Sequence, residues 1–246
     1  MTDNRTMKIA AIGFDADDTL WHNEDHFAAT EDAFADLVSA WASPEAARAE
    51  LLRTETGNLA LFGYGVKSFT LSMIEAAMTL SDGEISSADL AILLERGKEM
   101  LERPAHLLAG VADTLEELAS SHPLIVITKG DLHHQHRKVE ESEIHHWFQS
   151  VEVVREKDVA TYAEVLRRYD LRADEFVMVG NSVKSDVLPA LALGAVGVHI
   201  PYHFTWAHET VHESDLGSHA RNVDGALFWE LSSFRELPGL IDRLQR

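Results

Sequence analysis

The sequence predicts an α/β protein built on a doubly wound parallel sheet with an inserted α-helical segment, and three observations carry that expectation. Short apolar runs alternate with stretches of helical periodicity, the pattern of strands joined by crossover helices. The runs are continuously apolar, as in strands covered on both faces. The interval between the first two runs is much too long for one crossover and reads as helical throughout.

Taken in order, the expected strands are Lys8 to Phe14, Leu124 to Thr128, Val151 to Val154, Phe176 to Gly180 and Val196 to Ile200. Val111, Leu115, Leu118 and Ala119 follow helical spacing, as do Tyr162, Val165, Leu166 and Tyr169, which supplies helices between strands. From about Trp21 to Arg103 the apolar residues form three helical sets: Phe27, Phe34, Val38 and Trp41; then Phe69, Met73, Ile74 and Ala77; then Leu90, Leu93, Leu94 and Leu101. Residues 21–103 are therefore expected to form a helical insert over the sheet edge, with 1–20 and 104–246 as the core. Pro104 and Gly110 punctuate the return to it. The tail from Arg221 onward offers a short strand around Ala226 to Leu231 and a last helix ending near Leu244.

The chain has 246 residues, enough for a well-buried core, and a formal charge of −20. That negative field opposes binding to nucleic acid or to anionic membranes, so neither is expected as a partner. An anionic substrate remains compatible with it, provided a cation and local bases reverse the sign inside a pocket. With no cysteine, disulfides, thiol catalysis and thiolate zinc sites do not arise. The opening Met1-Thr-Asp-Asn-Arg5 lacks the apolar core of a signal peptide and no run is long enough to cross a bilayer, so a cytoplasmic location is expected.

The chemistry is concentrated where strands end. The first delivers Asp15 and Asp17, then Asp18 and Thr19; the second ends at Thr128, with Lys129 and Gly130 beyond; the third runs out at Arg155-Glu156-Lys157; the fourth leads through Gly180 to Asn181, Ser182 and Asp186. In an open parallel sheet the carboxyl ends of the strands line one crevice, so these residues converge although far apart in sequence. Two aspartates at i, i+2 permit a division of labour, one attacking or binding a metal while the other exchanges protons.

Hydrophobic-Asp15-x-Asp17-x-Thr19, hydrophobic-Thr128, the lone Lys157 and Gly180-Asn181-Ser182-x-x-x-Asp186 resemble the four motifs of the haloacid dehalogenase superfamily, in order and in spacing over almost the whole chain. The resemblance implies a Rossmann-like core, and the insert is similar to that family's helical cap. It further implies a phosphatase in which Asp15 is the nucleophile, forming an aspartyl-phosphate, and Asp17 is the acid and then the base. Thr128 and Lys157 would hold phosphoryl oxygens, and Mg²⁺ would be held by Asp15, the backbone carbonyl of Asp17, and Asn181 and Asp186. The substrate expected on this basis is a small phosphorylated metabolite, with Lys129 and Lys67 as further substrate contacts. Phosphoryl transfer asks mainly for positioning and charge neutralisation, which a hard cation and one lysine supply. Two departures stand out: Asn181 replaces the usual carboxylate, and Asp158 follows Lys157 where proline is common.

Simpler readings accompany each residue. Lys157 alone is a solvated lysine beside Arg155 and Glu156, Thr128 a β-branched strand residue, and Asn181, Ser182 and Asp186 helix-capping groups. His133, His134 and His136, and His145 and His146, lack the i, i+4 pairing of two imidazoles on one helix face, so no zinc site is expected. Gly63-Tyr64-Gly65-Val66-Lys67 interrupts a helical region and reads as a flexible, substrate-facing loop. Alternatives within the fold are a 2-haloacid dehalogenase, against which Asp17 argues, and a phosphomutase. Outside catalysis the alternative is a weakly active phosphate-ligand-binding protein, suggested only by Asn181. Oligomeric state is encoded in none of these features.

Overall fold

Alternate residues of β1 (Ala11–Phe14) divide between two faces, Ile12 and Phe14 entering one hydrophobic core and Ala11 the other. The same division runs through β2 (Leu124–Lys129) and β4 (Phe176–Gly180), and it explains why these strands are apolar throughout. With β3 (Phe148–Val154), β5 (Val196–His199) and β6 (Phe228–Glu230) they form a six-stranded parallel sheet in the order β3-β2-β1-β4-β5-β6. The computed structural model describes residues 7–204, 206–210 and 227–246.

One face of the sheet is covered by α5 (Val111–Ala119) and α9 (Leu237–Leu244) through Val111, Leu115, Leu118, Leu237 and Ile241. The other is covered by α7 (Val159–Arg168) and α8 (Leu188–Leu193) through Tyr162, Val165, Leu166 and Ala190. This is the doubly wound α/β architecture that the apolar pattern predicts. Between β1 and β2 four helices, α1 (Glu24–Leu37), α2 (Pro44–Phe62), α3 (Val66–Leu80) and α4 (Ser87–Glu102), pack around a separate cluster that includes Phe34, Leu51, Phe69, Met73 and Leu93.

Several details differ from the sequence reading. β3 starts at Phe148 rather than Val151; it is an edge strand, only half buried, so Gln149 and Ser150 interrupt its apolar signal. α2 lies within the expected helical insert but belongs to none of its three apolar sets, because its buried positions, Ala47, Leu51, Thr54 and Asn58, are half polar. Trp41 and Leu94, expected in the insert's core, are 37% and 48% exposed, Trp41 because α1 ends at Leu37. α6 (Leu132–Glu141) was also missed, since the face it buries carries His134, Gln135 and Lys138 with Val139. Of the expected tail, Phe228–Glu230 and the last helix are present, whereas Arg221 to Ala226, like Met1 to Arg5, lie outside the described residues. Among the described residues no helix is long and apolar enough to cross a membrane.

Candidate active site

The loop after β1 is shaped by its own carboxylates. Asp18 adopts a left-handed backbone, φ 63°, a conformation that aspartate tolerates better than most residues. Its side chain accepts hydrogen bonds from the backbone N–H groups of Asn23 (2.9 Å) and Glu24 (3.0 Å), fixing the start of α1. Burial, opposed by those hydrogen bonds, pushes its pKa up to about 7. Asp18 lines the same cavity as Asp15 and Asp17, but its carboxylate is spent on the turn.

Asp15, 7% exposed, is gripped from two sides. Lys157 Nζ contacts Oδ1, and the Thr19 hydroxyl donates to Oδ2 at 2.9 Å while accepting from the backbone N–H of Asn181 at 3.0 Å. Burial raises the Asp15 pKa to about 6, with Lys157 pulling it back and Asp186 pushing it further up. Lys157 also reaches Asp186 Oδ1 at 2.6 Å, so one buried ammonium bridges the carboxylates that follow β1 and β4. Burial alone would lower its pKa, but the two aspartates raise it and keep it charged. Asp186, fully buried on a single π-helical turn (Val183–Val187), accepts from the Ser182 backbone N–H at 3.0 Å through Oδ2. A Cβ on Gly180 would stand 2.1 Å from that oxygen, which is why the strand must end in glycine.

Asp17 is held differently. Lys138 Nζ lies 2.5 Å and Trp21 Nε1 2.7 Å from Oδ1, and Gln135 Nε2 donates to Oδ2 at 2.9 Å. Burial would raise its pKa, yet Lys138, aided by Trp21 and Gln135, brings it below the usual carboxylate value. Gln135 also donates to Thr128 Oγ1 at 2.9 Å and to the Lys129 carbonyl at 2.7 Å, tying the end of β2 to Asp17. Gln135 and Lys138 escaped the sequence reading. The available signal was the Asp131 cap, which accepts from the His134 backbone N–H at 2.9 Å and opens a helix just beyond β2.

Asp15, Asp17, Thr128, Lys129, Lys157, Asn181 and Asp186 all line one cavity of about 150 Å³ between the sheet edge and the helical insert. Lys129 lies against the Glu209 carboxylate at 2.6 Å and the Ser185 hydroxyl at 3.0 Å, with its ammonium 4.2 Å from the centre of the Tyr64 ring. Lys67 is not brought into the cavity: it pairs with Asp131 at 2.9 Å on the surface. Its neighbours Gly63, Tyr64 and Gly65 face the cavity instead, with the Tyr64 hydroxyl donating to Glu156 at 2.7 Å. Gly65 has φ 109°, and a Cβ there would stand 3.1 Å from the Asp131 backbone nitrogen, so a glycine lets this loop approach the core.

The donor set suits a hard divalent cation. Asp15, the Asp17 carbonyl, Asn181 and Asp186 offer only oxygen, and the raised pKa of Asp15 marks a buried carboxylate that a cation would relieve. Among the described residues no three His, Asp or Glu side chains form a ready metal cluster. The set implied by the resemblance needs none, since it combines two carboxylates with a carbonyl and an amide.

The fold is a doubly wound α/β core with a helical insert, and its strand-end side chains line one cavity. The chain matches the model of haloacid dehalogenase-like hydrolases over residues 9–194, and it belongs to that family. A haloacid dehalogenase-like family hydrolase from Xanthomonas campestris shares 37% identity and superposes with a TM-score of 0.84, covering 97% of this chain and 93% of that one. At lower identity the fold recurs in a predicted phosphoglycolate phosphatase from Haemophilus somnus (17%, TM-score 0.63, 95% and 98% covered). It recurs also in a 2-haloacid dehalogenase from Pseudomonas syringae (20%, TM-score 0.63, 96% and 99% covered). Curated proteins supply no match.

Proposed function

We propose that the protein is a Mg²⁺-dependent phosphomonoester hydrolase acting on a small phosphorylated metabolite, with residues 21–103 as a cap over the site. The observation that carries this reading is the placement of Asp17: a second carboxylate, held by Lys138, Trp21 and Gln135, facing the same cavity as Asp15. Dehalogenation needs a nucleophile but no such acid and base; phosphoryl transfer uses both.

In this mechanism an Asp15 carboxylate oxygen attacks phosphorus, the ester P–O bond breaks, and Asp17 delivers a proton to the leaving oxygen. Water then attacks the aspartyl-phosphate, Asp17 takes the water's proton, and phosphate departs. Lys157 and Thr128 balance and orient the phosphoryl oxygens. Asp15, the Asp17 carbonyl, Asn181 and Asp186 would hold Mg²⁺, which would supply charge neutralisation. The ion pair with Lys138 favours Asp17 as a carboxylate, the form in which it takes the water's proton. The cavity lies under the insert, which limits substrate size and shields the reaction from bulk water.

Turnover of an aryl phosphate with and without Mg²⁺, alongside halide release from a 2-haloacid, tests the reading. Mg²⁺-dependent phosphate release without halide release is expected. Halide release alone would assign a dehalogenase, and inertness toward both would leave a binding protein.

A further inference from the structure

The cavity is electrically lopsided. On the core side every cation is answered: Lys157 by Asp15 and Asp186, Lys138 by Asp17, and Lys129 by Glu209. On the insert side Glu24 and Glu31 from α1 and Glu55 from α2 line the same cavity. Among the described residues no lysine or arginine forms an ion pair with any of the three. The nearest guanidinium influence is Arg48 on Glu31, and Arg48 is bound to Asp32 at 2.6 Å.

Burial comes first in raising all three carboxyl groups, Glu24 to about 8 and Glu55 to about 7, and neighbouring carboxylates add to it: Asp18 and then Glu55 at Glu24, Asp32 at Glu31, and Glu31 at Glu55. A second observation is independent of charge. Ser68 of α3 lines the same cavity and is 4% exposed, and its hydroxyl has no hydrogen-bond partner among the described residues. A buried polar atom without a partner on a cavity wall is costly unless a ligand satisfies it.

We propose that this wall is a subsite for an ammonium group, so that the substrate is a small phosphomonoester carrying a primary amine at the end remote from its phosphate. The inference rests on the phosphatase reading and extends it to substrate class. A primary ammonium has three N–H donors and no acceptor, and the wall offers carboxylate and hydroxyl oxygens as acceptors. One bound positive charge also draws these carboxyl groups, which burial holds back from ionising, into their charged form. An anionic tail keeps them protonated and gains no partner, and a hydroxyl brings no charge to act on them.

The test uses matched esters: aminoethyl against hydroxyethyl phosphate, and aminobutyl against hydroxybutyl phosphate, with an aryl phosphate as control. In at least one pair the amine member should show a kcat/KM higher by about tenfold or more, as charge-assisted hydrogen bonds imply. Glu55→Gln and Glu31→Gln should each bring that ratio down toward unity. Two variants guard against one failing to fold, and the ratio in the unaltered protein needs neither. Ratios within about twofold in both pairs, or a preference for the hydroxyl member, would overturn the proposal. If no phosphate ester is turned over, aryl phosphate included, the phosphatase reading has failed separately. Calorimetric titration of the same pairs then decides the subsite, with tighter binding of the amine member supporting it and equal binding removing it.

Discussion

Replacing Lys138 with methionine removes one charge from the Asp17 carboxylate while keeping most of the side chain's bulk. At the observed 2.5 Å and an effective dielectric constant near 20, the gross attraction is roughly 7 kcal/mol. Desolvation of both groups offsets much of it, and breaking a buried pair typically costs about 3–5 kcal/mol. Asp17's side chain is 25% exposed and keeps its bonds to Trp21 and Gln135, so we expect a loss of about 2–3 kcal/mol at neutral pH. The sign with pH follows from the direction of the shift. In the unaltered protein the pKa of folded Asp17 is depressed, so its contribution is present above the ordinary carboxylate pKa and is lost as pH falls through the folded value. In Lys138→Met burial acts without Lys138 and raises that pKa, so the deficit should shrink on acidification as Asp17 gains its proton. Denaturant unfolding of both proteins from about pH 7 down to about pH 4 measures this. A deficit under about 1 kcal/mol at neutral pH, or one that does not change with pH, would show that Lys138 does not hold Asp17 ionised.

Three further outcomes are expected. Asp17→Asn should slow alkyl phosphates more than aryl phosphates, because good leaving groups need little protonation; equal losses would reduce Asp17 to a structural role. Asn181→Asp should lower the Mg²⁺ concentration for half-maximal activity, since a carboxylate replaces a neutral amide; an unchanged midpoint would place Asn181 outside the metal shell. Gly180→Ala should shift Asp186 and its hold on Lys157, because the new Cβ would fall 2.1 Å from Asp186 Oδ2; unchanged melting temperature and activity would contradict the packing at that point.

The strand-end residues were legible because four strand ends carry polar groups together: Phe14 is buried in the core and Asp15 stands directly beyond it, a placement that by itself also fits a capping loop. Sheet order was legible only in outline, since the five runs say that strands alternate with helices and not which strands pair. What escaped were surfaces where polar residues occupy buried positions. α6 turns His134, Gln135 and Lys138 inward for the sake of the site, and α2 buries Thr54 and Asn58, the latter donating to Ser72 and Glu75 at 3.1 and 2.8 Å. A search for apolar periodicity does not register such faces. Lys67 shows the complementary error: the Gly63-to-Gly65 loop does face the cavity, but a helix start directs Lys67 to Asp131.

Whether Asp15 is the nucleophile is decided by turnover of an aryl phosphate by the unaltered protein and by Asp15→Asn, with melting temperatures recorded for both. Mg²⁺-dependent turnover should fall by orders of magnitude in the variant while the fold persists, because an amide cannot form the acyl-phosphate. Retention of more than about a tenth of the activity in a folded Asp15→Asn protein would contradict that role.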